Sequence, residues 1–326
     1  MSTASKTILF HGNCVDGWFS AYFAMAKLQE NADVSMFPIS PSQPNTWPSI
    51  EVMKGTDVWL LDVSVAANYR EDWLKNGVLS IQCIDHHASA VEHWPAASCP
   101  IHTECCAALQ TYRHFFPTHE VPTWLHSVDR VDRWVDVTYE DRCLREYLQT
   151  VAHLPVQKRT EEAINITKNF VMGMYCHPEE SMKNCVEYGG RILEKKDHEI
   201  TDIIHQSHKT FLTITSTHAA SWGLPATWEG KNVFLMDTTA VTLDSTEASY
   251  LVFQAYPQTD IFINYRTNQF YEKVNGNRVY KSRIVYSARC RPGFDMTANT
   301  ILRGHPTSAG ASLVYGEHKG RFPFMF

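Results

Sequence analysis

Three short apolar runs in the first third of the chain, TILF at 7–10, VWLLDV at 58–63 and LSIQCID at 79–85, each give way to polar residues at the carboxyl end. Apolar runs of this length are the pattern of buried strands of a parallel sheet. Between the first two lies GWFSAYFAMAKLQE, in which Trp18, Ala21, Tyr22 and Met25 share one helical face and most other positions are apolar too. That segment reads as a buried helix crossing between parallel strands. Ligands of such sheets bind at the carboxyl ends of the strands, where His11, Asp62 and Asp85 all fall.

The first of these ends is chemically the oddest. HGNCVDG, residues 11–17, places His11, Asn13, Cys14 and Asp16 in one turn. Reversing a chain requires glycine, but neither an imidazole nor a carboxylate. Hard divalent cations are held by carboxylate oxygens with some imidazole, and the other two ends offer Asp62 in LLDVS and the triplet Asp85, His86, His87 in IDHH. A lone aspartate after a strand is commonly a cap or turn former. Two adjacent histidines after a carboxylate are hard to explain by packing.

With 326 residues, 44% of them hydrophobic, the chain can bury two cores. The net charge of -6 and the scattered basic residues exclude a stripe that grips long duplex nucleic acid. Nine cysteines at irregular spacings, with no CxxC pair, fit reduced thiols in a cytosolic protein. No apolar run is long enough to span a membrane, and a strand beginning by Thr7 leaves no room for a signal peptide. A soluble, cytoplasmic protein is expected. From about residue 160 to 208 the pattern is helical and charged. Strand-like runs then follow at TFLTITST, NVFLMDT, DIFINYR, QFYEKV and RVYKSRIVYS, with NGN at 275–277 as a hairpin turn and STEASYLVFQAY as a helix capped at Ser245 or Thr246. The expected division is residues 1–190, a connecting helix at 191–204, and a smaller mixed-sheet domain at 205–326.

HGNCVDG, LLDVS, CIDHH, VDRVDRW and, far downstream, RGHPTSAGASL stand in the order of the DHH phosphoesterases that carry a C-terminal DHHA1 domain. The chain resembles that family over almost its whole length, and in particular the branch whose first motif reads HGN followed by cysteine and DG. The resemblance implies two α/β domains facing each other across a cleft. The first would be a DHH domain with a mainly parallel sheet flanked by helices, the second a DHHA1 domain binding substrate. It also implies Mn²⁺-dependent hydrolysis of phosphodiester or phosphoanhydride bonds, with Mg²⁺ or Co²⁺ as alternatives.

Carried over by motif, Asp16, Asp62, His86 and an aspartate of VDRVDRW resemble the ligands of one metal site, with Asp62 bridging to a second. Asp129 is preferred for the fourth motif and Asp132 is the alternative. Where two-metal relatives have a further aspartate this chain has Cys14, so the second site keeps His11 and Asp62 and has lost a hard oxygen ligand; a thiolate suits zinc or a softer ion better than magnesium. His87 resembles the residue aimed at the scissile phosphate, beside Asp85. Asn13 resembles a loop-pinning or phosphate-touching residue. RGHPTSAGASL resembles a glycine-rich substrate loop with Gly304 and His305, Arg303 replacing a family glycine, and YSARC makes Arg289 a candidate anion clamp. The expected substrate is a small nucleotide or short oligonucleotide, with pyrophosphate, short polyphosphate or pAp as alternatives and a catalytically decayed phospho-ligand or protein binding module as the rival of another class. Long duplex nucleic acid and membranes are not expected partners, and a homodimer is left open.

Overall fold

The computed structural model describes residues 4–41, 44, 47–87, 90, 94, 102–152, 160–222, 224–274, 277–291, 293–296, 303–305 and 308–314. The chain divides into two compact units, 1–193 and 194–326. The first begins β1 (Lys6–His11), α1 (Val15–Leu28), β2 (Val34–Ile39), α2 (Ile50–Met53), β3 (Asp57–Leu61), α3 (Ala67–Lys75) and β4 (Ser80–Ile84). Its sheet is four-stranded in the order β2-β1-β3-β4, and every pairing is parallel. Helices α4 (Ala107–Phe115), α5 (Thr123–Arg133), α6 (Tyr139–Ala152), α7 (Thr160–Cys176) and α8 (Pro178–Gln206) follow, and α8 runs on into the second unit.

Helix α1 is apolar almost all round because it is buried on two sides. Trp18, Ala21 and Ala24 pack with Ile8, Phe10 and Leu60 of the sheet, while Phe19 and Phe23 pack with Leu109, Trp124 and Leu125 of α4 and α5. Each large side chain so buried contributes about 1.5–3 kcal/mol. The sequence reading missed β2: α1 leads to this edge strand before the chain returns to β3 in the centre. VSMFPI carries Pro38 and is only half buried, which suits an edge position and hides the strand from a search for apolar runs.

The second unit contains β5 (Lys209–Thr213), α9 (Ser216–Trp222), β6 (Asn232–Asp237), α10 (Ser245–Ala255), β7 (Ile261–Val274), β8 (Asn277–Cys290), β9 (Arg303–His305) and β10 (Ser308–Val314). They form one six-stranded sheet in the order β5-β6-β7-β8-β10-β9, mixed because only β6 and β7 pair in parallel. DIFINYR and QFYEKV, expected as separate strands, are one continuous strand, since Arg266 to Asn268 stay paired with Val285 to Arg283 of β8. The cap of α10 is Asp244 rather than Ser245 or Thr246, its carboxylate accepting from the N–H groups of Thr246 and Glu247. The tip of the expected NGN turn lies outside the described residues. No helix among the described residues is long and apolar enough to cross a membrane, and the eight described cysteines are free thiols.

Candidate metal centre

Parallel register sets the site. Phe10 lies opposite Leu61 and Leu61 opposite Ile84, so the residues that follow, His11, Asp62 and Asp85, leave three adjacent strands at one level. Asp62 takes a left-handed backbone (φ 55), which aspartate tolerates better than most residues and which turns the chain sharply as it leaves β3. Gly17 is required where α1 starts, because a Cβ there would lie 2.0 Å from the carbonyl oxygen of His11. The indole of Trp18 donates to the Gly12 carbonyl at 2.9 Å and pins the turn.

The Nε2 of His86 is the centre of the cluster. Asp62 Oδ1 lies 3.2 Å from it, Asp132 Oδ2 3.3 Å and Asp16 Oδ2 3.6 Å. One ring nitrogen carries one proton, so it can satisfy one of these oxygens at most. Asp62 Oδ1 and Asp132 Oδ2 are buried and make no well-aligned hydrogen bond, although each is within ion-pair distance of the imidazole. Buried carboxylate oxygens are ordinarily satisfied. Three acids and an imidazole converging in this way fit the ligand shell of a hard divalent cation, in which neighbouring ligand atoms stand about 3 Å apart.

The electrostatics say the same. Burial, then the charges of Asp62 and Asp132, hold the Asp16 carboxyl well above the usual range. Burial also raises Asp132, against the opposing charge of His86. Burial would raise Asp62 as well, but hydrogen bonds from His11 and His86 hold it below the usual range. For His86, burial works against the charged ring, yet Asp62, Asp132 and Asp16 push it up to about 10. Without a metal, an imidazolium proton occupies the place a cation would take.

Of the two aspartates open for the fourth motif, the geometry brings Asp132 into the cluster and engages Asp129 elsewhere. Asp129 accepts from Arg133 through both oxygens, at 3.0 and 2.7 Å, and from the N–H of Cys106 at 2.6 Å. It therefore ties α5 to the start of α4. The sequence held a signal for this: Asp129 has Arg133 four residues on, the spacing of a helical ion pair, whereas Asp132 has Asp136 there. Asp16 shares the capping task, accepting from Ala107 and Ala108 at 2.9 and 2.7 Å, and this holds its carboxylate beside His86. Cys106 is the residue that precedes α4.

Asp85 orients His87, and the two form a further group with Asp62 and His86 whose ligand atoms lie within 4.8 Å of one another. Its Oδ1 takes the His87 ring Nδ1 at 2.7 Å and the backbone N–H groups of His86 and His87 at 2.7 and 3.2 Å. The proton is thereby kept on Nδ1. Burial works against charging His87, but the hydrogen bond and charge of Asp85 raise its pKa. Cys14, read as the position of a lost ligand, sits inside a second cluster. Its Sγ donates to Asp62 Oδ2 at 2.8 Å and lies 3.2 Å from His11 Nδ1, which is itself 3.3 Å from Asp62 Oδ2. Asn13 is exposed in the turn between β1 and α1.

In the second unit, Arg289 is half buried on β8, donating to Ser287 Oγ (3.1 Å), the Ala288 carbonyl (2.9 Å) and Thr246 Oγ1 (3.2 Å) at the start of α10. Gly304 and His305 lie on β9 opposite Ala309 and Ser308, and Ser308 lies opposite Arg289. The side chains of 303–305 are outside the described ones.

No family model matches the sequence, and no curated protein matches it. Solved structures similar to the chain include an exopolyphosphatase-related protein from Bacteroides fragilis, with 10% identity and a TM-score of 0.42 over 97% of this chain and 88% of that one. The exonuclease RecJ bound to manganese is similar at 10% identity and a TM-score of 0.41, covering 95% and 86%. CDC45 from Entamoeba histolytica follows at 8% and 0.37, covering 98% and 92%. What the site does rests on its own geometry.

Proposed function

We propose that the protein is a metal-dependent phosphoesterase that hydrolyses phosphodiester bonds in short oligonucleotides or small nucleotides. The observation that carries this reading is the convergence of Asp16, Asp62 and Asp132 on His86 Nε2, with two buried carboxylate oxygens that make no well-aligned hydrogen bond. These four residues would hold Mn²⁺, with Mg²⁺ or Co²⁺ as alternatives. Such an ion supplies an activated water and a Lewis acid for a phosphoryl oxygen.

The chain's own residues do the rest. Asp85 fixes the ring and tautomer of His87, which would turn its Nε2 to a phosphoryl oxygen. Arg289, already held by Ser287 and Thr246, offers a planar fork to a second anionic group. Support for a nucleotide strand over pyrophosphate comes from the register of the second sheet. On the face that carries Arg289, β7 and β8 place Arg266, Arg283 and Lys281 at successive same-face positions with Phe270 among them. Arg266 and Arg283 are exposed, and Arg283 stacks 5.4 Å from the Phe270 ring. A row of cations with an aromatic platform suits an extended chain of phosphates and bases.

The test is a substrate panel with Mn²⁺, Co²⁺ and Mg²⁺: RNA of two to five residues, a linear dinucleotide, pAp, cyclic dinucleotides, pyrophosphate and tripolyphosphate. Release of mononucleotides from the short RNA or the dinucleotide is expected. Turnover confined to the inorganic phosphates would overturn the substrate class. Survival of every substrate at high enzyme concentration would favour the binding-module reading.

A further inference from the structure

Strands β7 and β8 are paired over their whole length, from Ile261 opposite Cys290 to Val274 opposite Asn277. The rest of the sheet supports only their base: β6 pairs with Ile261–Tyr265 of β7, and β10 with Arg283–Arg289 of β8. Beyond those residues no strand among the described residues flanks the pair. It runs on as a two-stranded ribbon that spans about 20 Å from Asn268 to Val274. A lone pair of strands is marginally stable in water, and this one is also highly charged. Residues 266–283 hold five Lys or Arg against one Glu, a net charge of +4 in a chain whose total is -6. Self-repulsion of that kind is relieved by a polyanion.

Register sorts the side chains of the ribbon onto two faces. Phe270, Lys281 and Arg283 share the face of Arg289. The other face carries Tyr271 opposite Tyr280, with ring centroids 6.3 Å apart, and the Arg278 guanidinium 4.8 Å from the centre of the Tyr271 ring. Nearer the base the same face supplies Ile263 and Tyr286 to the core of the unit. Further out that cover ends, leaving Tyr271 51% and Tyr280 70% exposed.

We propose that this face of the ribbon, with Tyr271, Tyr280 and Arg278, is a docking surface for single-stranded nucleic acid. It lies on the side of the sheet away from Arg289, so it goes beyond the phosphoesterase reading and does not depend on it. Charge complementarity calls for a polyanion, and the tyrosines call for one that offers flat apolar surface. An unpaired base has such a surface, whereas a duplex keeps its bases stacked inside and an acidic peptide has none to offer. A guanidinium already resting on a ring gives up less freedom when it takes a phosphate, so Arg278 is prepared for the backbone while the rings take bases.

The test is fluorescence anisotropy of a labelled 12-residue oligouridylate with the full chain in EDTA, which silences any metal-dependent hydrolysis. Binding that weakens as salt rises is expected. Tyr271→Ala and Tyr280→Ala should each weaken it by about 5- to 100-fold, the range for one stacked base, while Tyr271→Phe and Tyr280→Phe, which keep the rings and the ribbon, should bind within about twofold of the unmodified chain. Arg278→Ala should flatten the slope of log affinity against log salt by about 0.7. Absence of binding at low salt, equal affinity for a duplex of the same length, displacement by polyglutamate at matched charge, or indifference to both alanine changes would overturn the proposal. So would sedimentation showing a dimer of this chain that Tyr280→Ala dissociates, since the face would then belong to a second copy. Because the assay holds no metal, the two readings separate: oligouridylate binding without turnover of the substrate panel sinks the phosphoesterase and leaves this surface standing, and turnover of a dinucleotide without such binding does the reverse.

Discussion

Asp132→Asn and Asp129→Asn should part company in a way that no account based on the motif alone anticipates. In the metal-free protein, Asp16, Asp62 and Asp132 crowd one imidazolium. Two like charges about 5 Å apart repel by about 3 kcal/mol at an effective dielectric constant near 20, and the charge of His86 offsets part of this. Removing the Asp132 charge should therefore stabilise the metal-free chain by about 1–2 kcal/mol, a rise in Tm of roughly 2–8 °C for a unit of this size. The same change should weaken Mn²⁺ binding by about 100-fold or more, since a ligand is lost. Asp129→Asn removes a two-pronged pair with Arg133 and weakens a charge-assisted bond to Cys106, and should cost about 2–4 kcal/mol while leaving the Mn²⁺ affinity within about twofold. Differential scanning calorimetry without metal and titration calorimetry with Mn²⁺ read the two effects. If Asp129→Asn abolishes Mn²⁺ binding and Asp132→Asn spares it, the assignment made from the geometry is wrong.

Other consequences can be checked with the same preparations. His86 is raised to about 10 in the metal-free fold, so its stabilisation is fully present below its unfolded pKa near 6.5 and is lost as pH rises from there towards 10; Mn²⁺ must displace that proton, so its affinity should climb with pH over the same window, and a flat titration series would contradict this. Asp85→Asn should lower kcat by about 10²–10³-fold at unchanged metal stoichiometry, because it releases the ring of His87 and not a ligand, and loss of a bound ion would refute that division. Gly17→Ala should destabilise the chain by about 3 kcal/mol or more, as its Cβ meets the His11 carbonyl; an unchanged Tm would mean that α1 does not sit against the end of β1 as described. Arg289→Ala or His305→Ala should impair nucleotide turnover far more than turnover of a small chromogenic phosphodiester, and equal losses on both would remove these residues from substrate binding.

The sequence by itself determined that three apolar strands end in His11, Asp62 and Asp85, because burial leaves apolar runs, interrupted only in the edge strand β4 by Ser80 and the exposed Gln82, and the change to polar residues marks their end. It also determined that the helix following HGNCVDG is buried on more than one side, since Trp18, Phe19 and Phe23 point to different sides and none is polar. The edge strand Val34–Ile39 was not legible: Pro38 and partial exposure erase the pattern, and only pairing with β1 defines it. The choice between Asp129 and Asp132 likewise belonged to the tertiary structure. Both lie on α5 within one turn, and what separates them is that the start of α4 and Arg133 claim the first, leaving the second to face His86. Cys14 shows the same limit from the other side. Sequence supplies a thiol where a carboxylate was expected, but only the meeting of β1, β3 and α1 puts that sulfur against His11 and Asp62, because side chains 48 residues apart become neighbours through strand register and not through spacing.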